Sequence, residues 1–518
     1  MHFGTHEELL LLVLLAALAA LLIAAPVLRI PYPIFLVLGG LALGFVPGVP
    51  SITLPPQVVL VAVLPPLLYL SAYRTSLRDL RANARAIVIL AVGLVAATTV
   101  TVAVVAHAAI ASLPWSAAFV LGAVVAPTDP IAATSIMRRL GVPRRLVSIV
   151  ESESLVNDGT ALVLFRAAVV ATISGVFSAW DISWRFAWAV GGGVAIGLVV
   201  GYLVAEVRRR VHNPPVEVTI SLMTGYFAFI PATAVSASGV IAVVTAGVYL
   251  GWRTPELTSV DTRLQGEAVW SIVAFVLNAL VFALVGLQLS GILDSLNGHS
   301  NADLIWYALL VTGTVIVTRI VWVPIFSLRH KKPFNHTFLL SWAGMRGAVS
   351  LAAALAIPLT TRAGEPFPER NLIIFLTFCV IFGTLVVQGL SLPAVIKATH
   401  IEPDTIEDEQ DAQARIRAAE AAIARLDELL AEDWVRPETA ERMRGLYGFR
   451  INRFSSRFDD GADGAVEEQS QAYQRLRREL LEAERAAVNE LGRSGAISGD
   501  VMLRVRRDLD LEDARLDV

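Results

Sequence analysis

Charge is what this sequence has least of. Asp, Glu, Lys and Arg make up 17% of its 518 residues, hydrophobic residues 55%, and mean hydropathy is +0.63. A water-soluble chain of this length needs a far more charged surface, so the composition implies a polytopic membrane protein. Cysteine is nearly absent. A single Cys379 excludes an intrachain disulfide and any metal site built on cysteines; it falls in an apolar run and reads as a packing residue. No Walker-type phosphate loop occurs, so nothing implies an ATP-driven machine. No nucleic-acid partner is implied by a net charge of −3. No Lys or Arg precedes the apolar run Leu9–Val27, which follows Glu7 and Glu8. A cleavable signal has a basic start, so this run is expected to be a first span.

What is present is a series of apolar runs. A span needs about 20 mainly apolar residues, and such runs fall at 8–27, 31–47, 56–73, 84–110, 115–137, 146–175, 184–206, 216–230, 233–251, 266–291, 303–328, 335–359 and 371–396. The sequence therefore predicts an all-α protein of about thirteen transmembrane helices. The eighth and ninth, flanking Pro231, could instead form one re-entrant hairpin. Loops after odd-numbered spans carry seventeen Lys and Arg, loops after even-numbered spans three (Arg185, Arg362, Arg370). The bias predicts an external N-terminus and a cytoplasmic C-terminus. Spans 1–6 start outside and spans 8–13 inside, the arithmetic of two inverted repeats, about 8–175 and 216–396, in a membrane domain of 1–397. The fifth span of each half is interrupted: Pro127-Thr128-Asp129-Pro130 in one, Gly344-Met345-Arg346-Gly347 in the other. Proline removes a helical donor and glycine tolerates unwound backbone. Broken backbone at membrane depth survives only in protein or beside a watery cavity, so two broken crossing helices point to a substrate site between them.

The densest polar cluster follows at once: Glu151, Glu153, Ser154, Asn157 and Asp158 within eight residues of span 6. Ionisable groups inside a span are functional candidates by default. At about 1.5 Å of rise per residue, Asp158 lies roughly 20 Å past Arg145, Asp129 roughly 14 Å before Arg138, and Arg346 roughly 21 Å past Lys332. All three reach the middle of a core of about 30 Å and can share one site. Glu151, Ser154, Leu155 and Asp158 form one helical stripe, Glu153 and Asn157 the adjacent one. In the arrangement this favours, Asp158 faces the cavity as ion ligand and proton acceptor. Ser154, one turn below, supplies a neutral oxygen, and Thr128 a hydroxyl or main-chain carbonyl. Hard cations such as Na⁺ prefer oxygen donors. One carboxylate holding either a proton or a metal ion, but not both, is an exchange site.

Ala126-Pro-Thr-Asp-Pro, Glu153-Ser-Leu-Val-Asn-Asp-Gly and Trp342-Ala-Gly-Met-Arg-Gly-Ala-Val-Ser350 together resemble the bacterial Na⁺/H⁺ exchanger type of monovalent cation:proton antiporter, over about residues 8–396. The resemblance implies a homodimer in the plasma membrane that exchanges Na⁺, or K⁺ or Li⁺, for protons by alternating access, without a cofactor and without enzymatic chemistry. It implies Asp158 as the ion-binding acid with Asn157 as neutral neighbour, and electroneutral exchange. It also implies a buried ion pair of Glu153 with Arg346, a structural tie between spans 6 and 12. The chain departs from the pattern in span 3, where relatives often carry an acid: Leu70 stands there, with Ser71 the nearest polar group.

Alternatives attach to several residues. Asp129 ligates the ion, caps a half-helix, or both. Arg319, mid-span, requires an acid or a helix C-terminus. Arg166 and Glu267 read as local pairs or end-of-span groups. Glu151 lies in a cytoplasmic funnel or a solvated first turn, and His107 is a pH sensor or a satisfied core histidine. Two buried arginines keep open an anion or organic-solute carrier on the same fold. A membrane sensor signalling through its tail would need an output domain that is not visible. The tail, 398–518, shows helical periodicity over Asp411–Glu432, Pro437–Phe454 and Val466–Leu491, with a linker at Phe458–Gly464.

Overall fold

A computed structural model describes residues 19–20, 23–24, 32–46, 59–175, 179–287, 296, 300–328, 333–401, 405–432, 434–455 and 465–514. The expected first span and the tail linker lie largely or wholly outside these. Among the described residues the structure is helical, apart from one isolated antiparallel bridge between Thr360 and Pro366. The chain forms two compact units, Met1–Pro403 and Asp404–Val518.

In the first unit, α1 is Tyr32–Gly44 and α2 is Leu64–Arg74, entered through a π-helical turn at Val59–Val63. Next come α3 (Leu77–Val88) and α4 (Val95–Ala109), joined by the π-helical turn Ile89–Leu94. The fifth expected span is two half-helices, α5 (Trp115–Val125) and α6 (Pro130–Arg139). Then follow α7 (Arg144–Ser174), α8 (Ala179–Arg210), α9 (Pro214–Ala234), α10 (Gly239–Leu257), α11 (Val260–Leu287) and α12 (Asn301–Leu328). The eighth and ninth runs are thus two separate helices. Asn213 and Ser238 start them by accepting the amides of Val216 and Ile241. The twelfth span is again broken, into α13 (Phe334–Trp342) and α14 (Ala348–Leu355). α15 (Arg370–Gly383) passes through a π-helical turn, Thr384–Gln388, into α16 (Gly389–Ala398). Eight segments among the described residues are long and apolar enough to cross a bilayer, and one of them, Trp115–Arg139, is the end-to-end pair of half-helices α5 and α6.

Apolar packing divides this unit. One cluster joins α2 with α8–α11, around Tyr69, Ala228, Val243 and Trp270. Two others hold α4–α7 and α12–α16 together, with α1 and the end of α11 packed on. Burying such faces in lipid is a matter of close packing rather than hydrophobic drive, because the tails are as apolar as leucine.

In the second unit, α17 (Thr405–Leu429) pairs with α18 (Pro437–Ser455), and α19 (Ala465–Arg493) with α20 (Gly499–Ala514). The sequence reading has no counterpart to α20. Surface ion pairs such as Arg477 with Glu512, and Arg485 with Asp510 and Asp513 at 2.9 and 2.8 Å, join α19 to α20.

Candidate functional site

The two breaks cross. The Asp129 amide donates to the Met345 carbonyl at 2.8 Å, main chain to main chain. Four half-helix ends therefore meet in the centre of the bundle, each carrying a partial charge, and the charged side chains are distributed to match. Asp129 caps α6, accepting the Ile131 amide at 2.9 Å. A Cβ added at Gly347 would collide with the Asp129 carboxylate, so this glycine brings the start of α14 against the same acid. The C-terminal ends receive the arginines. Arg346 donates from Nε to the Val125 carbonyl at the end of α5 (3.1 Å) and from Nη1 to the Gly344 carbonyl. Arg319 donates from Nε and Nη2 to the Leu340 carbonyl near the end of α13, at 3.2 and 2.9 Å. Gly344 makes room for it, since a Cβ there would meet the Arg319 side chain.

The ion pair differs from the expected one. Glu153 pairs with Arg319, both 1% exposed: Nη1 donates to Oε1, and Nη2 to Oε2 at 2.9 Å. Arg346 is fully buried but bound to carbonyls, and its amide donates to Thr384 Oγ1 at 3.1 Å. The physical reason is the fork of Arg319. It reaches one carboxylate and one helix end together from α12, whereas Arg346 sits inside the break and serves the nearer carbonyls. The acid and the helix C-terminus posed as alternatives for Arg319 are both its partners.

Thr128 is the hub between the break and α7. Its Oγ1 accepts Asn157 Nδ2 at 2.7 Å, lies 3.1 Å from Ser154 Oγ and donates to Glu153 Oε1 at 3.4 Å. With three partners this hydroxyl is saturated. Asn157 and Glu153 stand behind it and do not line the cavity.

In front of it lies a cavity of about 710 Å³, lined by Thr128, Asp129, Ser154 and Asp158 at its depth. It opens past Glu151 toward the end where Arg74, Arg138 and Glu267 lie. Asp158 is 7% exposed and has no hydrogen bond or ion pair among the described residues. Both buried arginines of the break are engaged elsewhere. Glu151 pairs with Arg138 at 2.7 Å on the way in, and Glu267 with Arg74 at 3.8 Å. Leu70 and Ser71 face the same cavity, so the position without the acid does border the site.

Among the lining residues that the sequence did not single out, two bear on the site. Ser350, on the first turn of α14, is 1% exposed and its Oγ has no partner. Helical serines and threonines usually bond to the carbonyl four residues back, as Thr99, Ser341 and Thr377 do here. Asn278 of α11 donates to the Ala274 carbonyl at 2.8 Å and borders the cavity. Only the final residue of the Trp342–Ser350 signature hinted at the first; nothing local marked the second. His107 is the satisfied histidine of the two alternatives, with Nδ1 2.7 Å from the Leu113 carbonyl and its ring 4.2 Å from that of Trp115.

Residues 13–398 match the family model described as the transmembrane sodium/hydrogen exchanger. An uncharacterised Na⁺/H⁺ exchanger of Mycobacterium bovis is 38% identical over 98% of this chain and 96% of its own length. A sodium, potassium, lithium and rubidium/H⁺ antiporter of Bacillus pumilus is 32% identical over 78% of this chain and 63% of its own. The solved sodium proton antiporter MjNhaP1 of Methanocaldococcus jannaschii superposes with a TM-score of 0.62 at 19% identity, over 76% of this chain and all of that one; at that identity the likeness is one of fold.

Proposed function

This chain belongs to the sodium/hydrogen exchanger family and exchanges monovalent cations for protons across a membrane, and from that premise we propose that Asp158 is the carboxylate for which the two compete. One observation carries this. Asp158 borders a cavity open to one end of the bundle with no counter-charge of its own, while Arg319 and Arg346 are bound elsewhere. Ser154 supplies a lone pair, Thr128 its main-chain carbonyl, and Ser350 a third neutral oxygen from the opposite half. Asn157 holds Thr128 in place, and Glu153 with Arg319 holds α7 against α12. Asp129 serves the half-helix ends and adds negative potential beside the ion.

Na⁺ is the favoured cation, with K⁺ and Li⁺ as further substrates. With the neutral Asn157 rather than a second acid next to Asp158 in α7, exchange is one for one and electroneutral. The arginine-rich loops support a plasma-membrane orientation with the N-terminus outside, so the open cavity faces the cytoplasm. The cavity lies where the α2/α8–α11 packing cluster meets the body that carries the breaks. Movement of one past the other, in a homodimer built on the former, transfers the site between faces. The spans form inverted halves over about 8–175 and 216–396, followed by a cytoplasmic helical domain over 398–518.

Purified protein in vesicles with a pH-sensitive dye tests this. Adding NaCl, KCl, LiCl and choline chloride in turn should collapse the pH gradient for the alkali cations only, and Asp158→Asn, folded and inserted, should abolish the response. Sustained exchange by that variant would contradict the assignment. A response to sodium gluconate equal to that with NaCl excludes the anion-carrier alternative.

A further inference from the structure

A second cavity, of about 210 Å³, lies outside the ion site, among the ends of α2, α8, α9, α10 and α11. Arg208 lines it. This side chain is 3% exposed, and neither Nε nor Nη1 has a hydrogen-bond partner. Its chain neighbours behave differently: Arg209 and Arg210 pair with Glu206 at 3.4 and 2.8 Å on the exposed face. Arg74 and Arg263 line the same cavity, against one carboxylate, Glu267, which is already paired with Arg74. Buried Glu217 lies nearby but outside the lining. One of its oxygens accepts Thr262 Oγ1 at 3.3 Å, the other has no partner, and it makes no ion pair with Arg208.

A guanidinium held out of water without an ion-paired counter-charge is strongly unfavourable, and this buried one, Arg208, with the exposed guanidiniums of Arg74 and Arg263 at the rim of the same small cavity, calls for an anion. We propose that this cavity binds a phosphate group, carried either by a free phosphate or by a lipid headgroup. The guanidinium fork matches a tetrahedral oxyanion through paired N–H donors. The hydroxyls of Thr258 and Thr262 border the same space, and the Trp270 and Tyr73 rings give an apolar wall for a phosphate's organic substituent. Arg74, Leu70 and Glu267 also line the ion cavity, so an occupant here shares a wall with the cation path. The location is cytoplasmic in the orientation proposed above; the chemistry of the pocket does not depend on that orientation or on Asp158.

The test uses the full chain in neutral detergent, with thermal unfolding followed in inorganic phosphate and in chloride at equal pH and ionic strength. Phosphate should raise the midpoint saturably by about 3 °C, the scale of shift that bound-state stabilisation gives. Arg208→Gln should remove the shift, and Arg263→Gln, at the rim, should weaken the apparent affinity about tenfold. Asp158→Asn should respond like the parent, which separates failure here from failure of the exchange site. If phosphate is inert, protein from vesicles of phosphatidylcholine with phosphatidylglycerol is examined by native mass spectrometry. One phosphatidylglycerol retained per protomer, and lost in Arg208→Gln, assigns the site to a headgroup. Should Arg208→Gln fail to fold, loss of affinity or retention in Arg263→Gln decides. Neither ligand held, or both held equally by the variants, overturns the proposal.

Discussion

Buried charge at the centre of this bundle is sorted by partner. Glu153 has a guanidinium, each of the two arginines has a helix end, and Asp158 has a cavity. Breaking a buried pair strands a charge at a cost of about 3–5 kcal/mol. Glu153→Gln or Arg319→Leu should therefore each lower the melting temperature and the yield of folded protein. The double substitution should cost less than the two single effects added, because neither charge is then left alone. Additive losses would contradict the pairing. Arg346→Gln combined with Glu153→Gln should show a smaller coupling, since these two meet no common partner directly. Ser350 belongs to a different class. Ser350→Ala removes an oxygen without stranding a charge, so it should leave stability within about 1 kcal/mol. Its expected effect is a rise in the KM for Li⁺ and Na⁺ of about threefold or more, larger than that for K⁺, with Ser350→Thr retaining the parent order. An unchanged cation order would remove Ser350 from the site.

At the scale of elements, the two broken helices define the site, and their glycines set how closely the halves approach. Gly347→Ala places a methyl group on the Asp129 carboxylate. The cap of α6 must then shift, and exchange should fall at least tenfold while the protein still inserts; normal exchange would show the contact is slack. Much of this was legible beforehand. Pro127, Pro130, Gly344 and Gly347 are local breakers whose physics acts within a turn, and the apolar runs announce spans by composition alone. The partner of Glu153 was not legible. Arg319 and Arg346 both lie at mid-span depth, and choosing between them depends on how α12 is rotated against α7, which periodicity does not encode. Ser350 was hidden for a related reason. A serine in the first turn of a helix has no helical carbonyl four residues back, and only the three-dimensional surroundings show that Ser350 finds no other partner.

For the whole molecule, separate packing clusters in the membrane unit with a cavity between them are what the alternating access proposed above would use. The account requires that proton and cation exclude each other at one carboxylate. Initial rates of Na⁺-driven proton movement in vesicles, taken over a range of cytoplasmic-side pH, address this most directly. The apparent KM for Na⁺ should rise as pH falls, toward tenfold per pH unit where the carboxyl is mainly protonated, while the maximal rate at saturating Na⁺ stays constant. A KM that does not move with pH, with only the maximal rate falling, would mean that the proton and the cation bind at separate groups and would contradict the account.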